Sequence, residues 1–160
     1  MQTMSRETQT AWICTAMMRI GMRMATGFDQ YFEPLGLTQS QFRILLGVRS
    51  RGGKAGITPS VLADHLLIER GTVSVLSNRM VEEGWIERHP GENRRSYRLR
   101  LTPKGKRILE TAVPRASDLA DETLSGFSRQ QLENMRTVLE HIEARMRAAD
   151  LNLPHESLDR

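Results

Sequence analysis

Apolar residues recur at intervals of three and four along most of this chain, and the rhythm breaks at prolines, glycines and capping residues. Trp12, Ile13, Met17, Ile20, Met24, Phe28, Tyr31 and Phe32 predict a first helix from about Thr10 to Glu33. Pro34 ends it, because the residue before a proline is pushed out of the helical region. Thr38 with Gln41 three residues later is a capping-box pattern, opening a second helix through Phe42, Leu45 and Leu46. A loop from Ser50 to Gly56 follows. Thr58-Pro59 starts a short third helix carrying Val61, Leu62 and Leu66. A fourth is predicted from about Arg70 to Glu83, with Val73, Leu76, Met80 and Val81 inward and Gly84 as its stop.

The period then changes. Residues 85–89 and 97–101 alternate with period two, which predicts the strands of a hairpin around a turn at 90–93. In that reading Tyr97, Leu99 and Leu101 face the core while Arg98 and Arg100 point outward. Thr102-Pro103 opens a long helix that Pro114 is expected to kink. Ser128 with Gln131 opens a last one, whose apolar face is Leu132, Met135, Val138, Leu139, Ile142 and Met146. The chain after Asp150 is expected to be loosely ordered. The fold class predicted is mainly α with a small β-hairpin.

Composition narrows the classes. At 160 residues and 39% hydrophobic, the chain can bury one core of ordinary size. No apolar run reaches the roughly 18 residues of a membrane span, and the polar start from Met1 to Gln9 lacks a signal peptide's apolar stretch, which points to the cytoplasm. The single cysteine, Cys14, excludes an internal disulfide framework. His65, His89, His141 and His155 are dispersed, with no carboxylate or thiol at ligand spacing, so no metal is expected. No phosphate loop, nucleophile elbow or paired-histidine motif is present, so neither catalysis nor a cofactor is expected.

Charge placement is more informative than the net +4. Residues 1–40 hold three basic and three acidic side chains, residues 41–107 hold 14 against six, and residues 108–160 hold six against ten. A basic middle between a neutral and an acidic flank is the footprint of a polyanion-binding module. Twenty of the 23 cations are arginine, whose planar fork suits phosphates and guanine edges.

Two helices joined by a short turn and followed by a charged hairpin make a winged helix-turn-helix. At this point the chain resembles the multiple-antibiotic-resistance regulator (MarR) family. The residues that carry the resemblance are 37–45, then 62–66, then Gly71-Thr72-Val73-Ser74 through Arg79 to Ile86. The wing residues 93–96 running into Leu101-Thr102-Pro103-Lys104-Gly105 are the most specific part. The resemblance implies an obligate homodimer in which terminal helices interlock and a winged domain on each side reads a pseudo-palindromic duplex. It divides the chain into an N-terminal dimerisation helix (1–36), a winged domain (37–102), C-terminal dimerisation helices (103–150) and a tail (151–160), all one compact unit. The function it implies is a transcriptional regulator, most often a repressor.

With the apolar stripe of the fourth helix inward, its other face carries Arg70, Gly71, Ser74, Val75 and Asn78, with Thr72 at the first-turn edge. In a helix-turn-helix this is the segment that enters the major groove. Arg70 suits guanine, Asn78 suits adenine or a phosphate, and Val75 suits a thymine methyl. Gly71 permits a close backbone approach to phosphate. On the wing the candidates are Arg94, Arg95, Ser96 and Arg98, and residues 87–107 hold eight basic against two acidic side chains. The resemblance gives Arg95 the minor-groove role, in which a narrow groove attracts the cation. The aspartate the family places two residues earlier to orient that arginine is Asn93 here, which leaves Glu92 as the nearest carboxylate.

Three control readings remain. The resemblance implies a small anionic aromatic effector held between the dimer helices and the winged domain, with Trp12, Arg19, Arg43 and His65 as lining candidates. A peroxide-sensing branch of the family carries a reactive cysteine at the place of Cys14, but its two tuning tyrosines correspond here to Phe28 and Gln39. Without those hydroxyls the expectation for Cys14 is a packing residue beside Ile13 and Met17. The third alternative is a winged module that binds protein, which the basic wing disfavours.

Overall fold

The computed structural model describes residues 5–92 and 96–150. Helix α1 spans Arg6–Phe32, α2 Gln39–Gly47, α3 Pro59–Leu66 and α4 Arg70–Glu82. Strands β1 (Ile86–Pro90) and β2 (Tyr97–Leu101) form the hairpin, and α5 (Pro103–Thr123) and α6 (Arg129–Asp150) complete the order. The class read from the pattern, mainly α with a small hairpin, is the one observed.

Four helix starts are where local chemistry placed them. The Thr38 hydroxyl accepts from the Gln41 amide while the Gln41 side chain accepts from the Thr38 N–H, a complete capping box. Ser128 and Gln131 repeat it, with distances of 2.8 and 3.3 Å. Thr58 and Thr102 cap α3 and α5 with proline in the first turn of each. Two boundaries differ from expectation. The first helix begins four residues earlier, capped by Ser5. The second runs on through a π-helical turn at Val48–Gly52, so that the loop starts later.

The core lies between α1, α2, α3, α4, the hairpin and the first half of α5. Phe32 stacks against Phe28 and Phe42 at 5.8 and 4.7 Å, and Ile44, Leu45, Leu62, Val73, Met80, Ile86, Leu99 and Leu109 are buried around them. β1 and β2 pair antiparallel with Ile86 opposite Leu101 and Arg88 opposite Leu99. Ile57 bridges the other edge of β2, exchanging both backbone bonds with Leu99 at 2.8 and 3.1 Å. Tyr31 of α1 donates to Glu122 of α5 at 3.0 Å, and the carboxylate's bond and charge raise the phenol pKa.

Helix α6 stands largely apart. Met135, Val138, Leu139 and Met146 are exposed, as are Trp12, Met18, Ile20 and Met22 of α1.

One buried residue breaks the stripe read from the sequence. Ser77 of α4 is 0% exposed and its hydroxyl has no hydrogen-bond partner among the described residues. A buried hydroxyl without a hydrogen bond costs about 1–3 kcal/mol. Ser77→Ala should therefore stabilise the fold by about 1 kcal/mol, read as a higher urea midpoint at unchanged m-value; a lower midpoint would show that the hydroxyl is satisfied.

Candidate nucleic-acid interface

Helix α4 packs Val73, Ser77 and Met80 inward and turns the opposite face to solvent. Arg70, Gly71, Thr72, Val75 and Asn78 are exposed on that face and Ser74 is half-buried. Val75 is 69% exposed, an apolar side chain left largely uncovered by the described residues. Arg70 reaches Asp64 of α3 at 3.8 Å with 74% of its side chain still accessible, so the pair holds it weakly. The first turn of α4 has no side-chain cap, and the space around Gly71 is open, so a phosphate could approach those free N–H groups.

The hairpin has two chemically different faces. Arg88, Tyr97 and Leu99 form the face turned to α4. There the Arg88 guanidinium lies 4.6 Å from the Tyr97 ring centroid and donates to the Asn78 side chain. Sequence reasoning counted Arg88 only as charge. Its strand position, opposite buried Leu99, was the available signal that it reaches across to α4.

The other face requires a correction. Arg98 and Arg100 do not point freely outward; both are half-buried. Arg98 donates to the Gly56 carbonyl at 3.3 Å and pairs with Glu92 at 2.9 Å. The cause is the segment before Ile57, which folds over this face. Gly56 there has φ +78°, and a Cβ on it would lie 2.9 Å from the Leu99 carbonyl and 3.0 Å from the Arg100 side chain. Glu92 is thereby engaged by Arg98, although it was the carboxylate left to orient Arg95. Asn93, Arg94 and Arg95 lie outside the described residues. Ser96 accepts from Gly91 through its carbonyl at 2.9 Å, closing the hairpin end.

The effector candidates are only partly brought together. A cleft of about 260 Å³ between α1 and α2 is lined by Met24, Phe28, Gln39, Phe42 and Arg43. Arg43 also donates to the Leu66 carbonyl at 2.6 Å. Trp12, Arg19 and His65 do not line this cleft. The spacing that put Trp12 and Arg19 on one helix did not resolve which face met α2; both are exposed. His65 sits half-buried on α3, and its pKa is lowered by burial first, then by the charges of Arg51 and Arg147. Cys14 is exposed, so within this chain it is not the buried packing residue expected.

The sequence model of the MarR family matches residues 35–96. The HTH-type transcriptional regulator PecS of Dickeya dadantii is 29% identical over 126 residues, 78% of this chain and 76% of that protein. The multiple antibiotic resistance protein MarR of Salmonella typhimurium is 31% identical over 116 residues, covering 71% of this chain and 78% of its own length. The chain belongs to the MarR family. The solved structure of a mutant Escherichia coli MarR complexed with operator DNA matches with a TM-score of 0.75 at 22% identity, over 87% of this chain and 99% of that one. At that identity the likeness establishes the MarR fold, a winged helix-turn-helix with helices on either side of it. No helix among the described residues is long and apolar enough to cross a membrane.

Proposed function

We propose that this MarR-family DNA-binding transcription regulator acts as a homodimer on a pseudo-palindromic operator, repressing the genes it controls. The observation that carries the reading is the outward face of α4. Arg70, Gly71 and Val75 stand there uncovered, with Asn78 braced by Arg88 from the hairpin beside it. A hairpin tied to the recognition helix by a charged hydrogen bond presents both elements to a duplex as one rigid surface. The family relative solved on operator DNA supports double-stranded DNA as the partner.

The terminal segments 1–36 and 103–150 are the dimerisation parts around the winged unit 37–102 in this reading. Their support is the exposed apolar residues of α1 and α6, which a monomer would leave in water. The α1–α2 cleft, with Phe28 and Phe42 as walls and Arg43 as its cation, fits a small anionic aromatic effector. Exposure of Cys14 keeps a thiol-sensing mode as the second reading.

Binding to a cognate duplex should weaken steeply with salt, because each neutralised phosphate releases counterions. Arg70→Ala should cost about 1–3 kcal/mol of that binding and relax preference at one base position, with folding unchanged. A variant that binds with wild-type affinity and preference would remove Arg70 from the interface.

A further inference from the structure

The face of the hairpin turned away from α4 forms the floor of a second depression, a groove of about 480 Å³ between the loop after α2, β1, β2 and the start of α5. Four cations line it: Arg49, Lys54, Arg100 and Lys106. None of the four makes an ion pair with a described residue. Two carboxylates, Glu87 and Glu110, share the groove. Arg100 is the informative member. Its Nε is buried and has no hydrogen-bond partner among the described residues, although the strand holds it opposite Glu87.

A buried guanidinium N–H without an acceptor is costly, and folded proteins rarely leave one so. The like charges beside it compound that cost until an anion enters. Guanidinium and ammonium groups converging on one space suit a phosphate, which accepts several charge-assisted bonds at once. A bare anion would also meet Glu87 and Glu110. Carboxylates accept bonds from hydroxyl groups, and Val48 and Leu101 give the groove an apolar side for a carbon skeleton. The volume lies in the range of small-molecule sites and well above the size of one inorganic ion.

We propose that this groove binds a small phosphorylated polyol-like molecule, its phosphate held by Arg100, Arg49 and Lys106 and its hydroxyls by Glu87 and Glu110. The site is separate from the α1–α2 cleft, since the two share no lining residue. It also lies on the hairpin face turned away from α4. A ligand there bridges the wing to α5, the element that leads out of the winged unit.

Calorimetric titration of the full-length protein with glucose 6-phosphate, inorganic phosphate and glucose tests this. Glucose 6-phosphate should saturate one site per chain more tightly than inorganic phosphate, and glucose should give no signal. Arg49→Ala combined with Lys106→Ala, both exposed residues, should leave the melting midpoint in place and weaken the phosphorylated sugar at least about tenfold. No saturable binding of the phosphorylated sugar below about 10 mM, or equal binding by the double variant, would overturn the proposal. So would binding of inorganic phosphate alone, which would reduce the groove to a bare-anion site. The same variant on duplex DNA separates the two sources of phosphate. The salt slope should stay at its wild-type value, whereas a slope shallower by about one for each removed cation would assign the groove to the DNA backbone and reject the small molecule.

Discussion

Replacing Gly105 by alanine should destabilise the protein by about 1–2 kcal/mol, although alanine is the better helix former. Helix propensity alone favours alanine over glycine by about 1 kcal/mol. Gly105, however, lies in the first turn of α5, where the helix presses directly on the backbone at the base of the hairpin. A Cβ there would overlap the Trp85 carbonyl oxygen, and that atom is backbone and cannot rotate away. The same oxygen accepts from the Thr102 N–H at 3.1 Å, and the Thr102 hydroxyl bonds the Gly84 carbonyl at 2.6 Å. Moving it therefore disturbs the cap of α5 and the exit of α4 together. Overpacking of this kind costs about 1–3 kcal/mol and outweighs the propensity gain. Urea unfolding at fixed protein concentration measures the difference, with concentration held because any self-association adds to apparent stability. A variant as stable as the wild type would mean that the α5–hairpin contact is loose.

If the proposed dimer forms through α6, Met135→Glu combined with Leu139→Glu should leave the protein a monomer at micromolar concentration. The two positions are four residues apart at the centre of the apolar stripe of α6, and both are exposed in the single chain. Burying each side chain against a partner is worth about 1.5–3 kcal/mol, and two carboxylates in that place must be desolvated instead. The double variant should keep its helical signal, because both side chains are exposed in the single chain. Its affinity for a two-half-site duplex should fall by about 100-fold or more, as the second half-site contact ceases to be intramolecular. Light scattering that still reports a dimer would move the interface away from α6.

These expectations show what the sequence carried and what it did not. Helix starts were legible because they depend on two or three adjacent residues. Thr38 with Gln41, Ser128 with Gln131, and Thr102 before Pro103 each name their own hydrogen bonds. The outward face of α4 was legible for a similar reason, since the positions of Val73 and Met80 settle where Arg70 and Val75 must point. What failed depended on elements distant in sequence. Alternation set Arg98 and Arg100 on the face opposite Leu99 correctly, but it could not show that the Gly56 segment closes over that face. Ser77 was absent from the apolar stripe read for the fourth helix, because its polarity concealed a buried position. Trp12 and Arg43 both suited an effector pocket by residue type, yet only Arg43 is on the helix face that meets the cleft. The apolar residues of α1 and α6 were read as belonging to an interface, and a single chain leaves them uncovered.

The central claim is that α4 and the wing of two chains read a symmetric duplex. Enrichment of random duplexes by the full-length protein, followed by sequencing of the bound pool, tests it directly. The pool should converge on an inverted repeat whose half-site centres lie about 10 base pairs apart or a multiple of that. A pool that stays random, or that converges on a single unrepeated site, would contradict it.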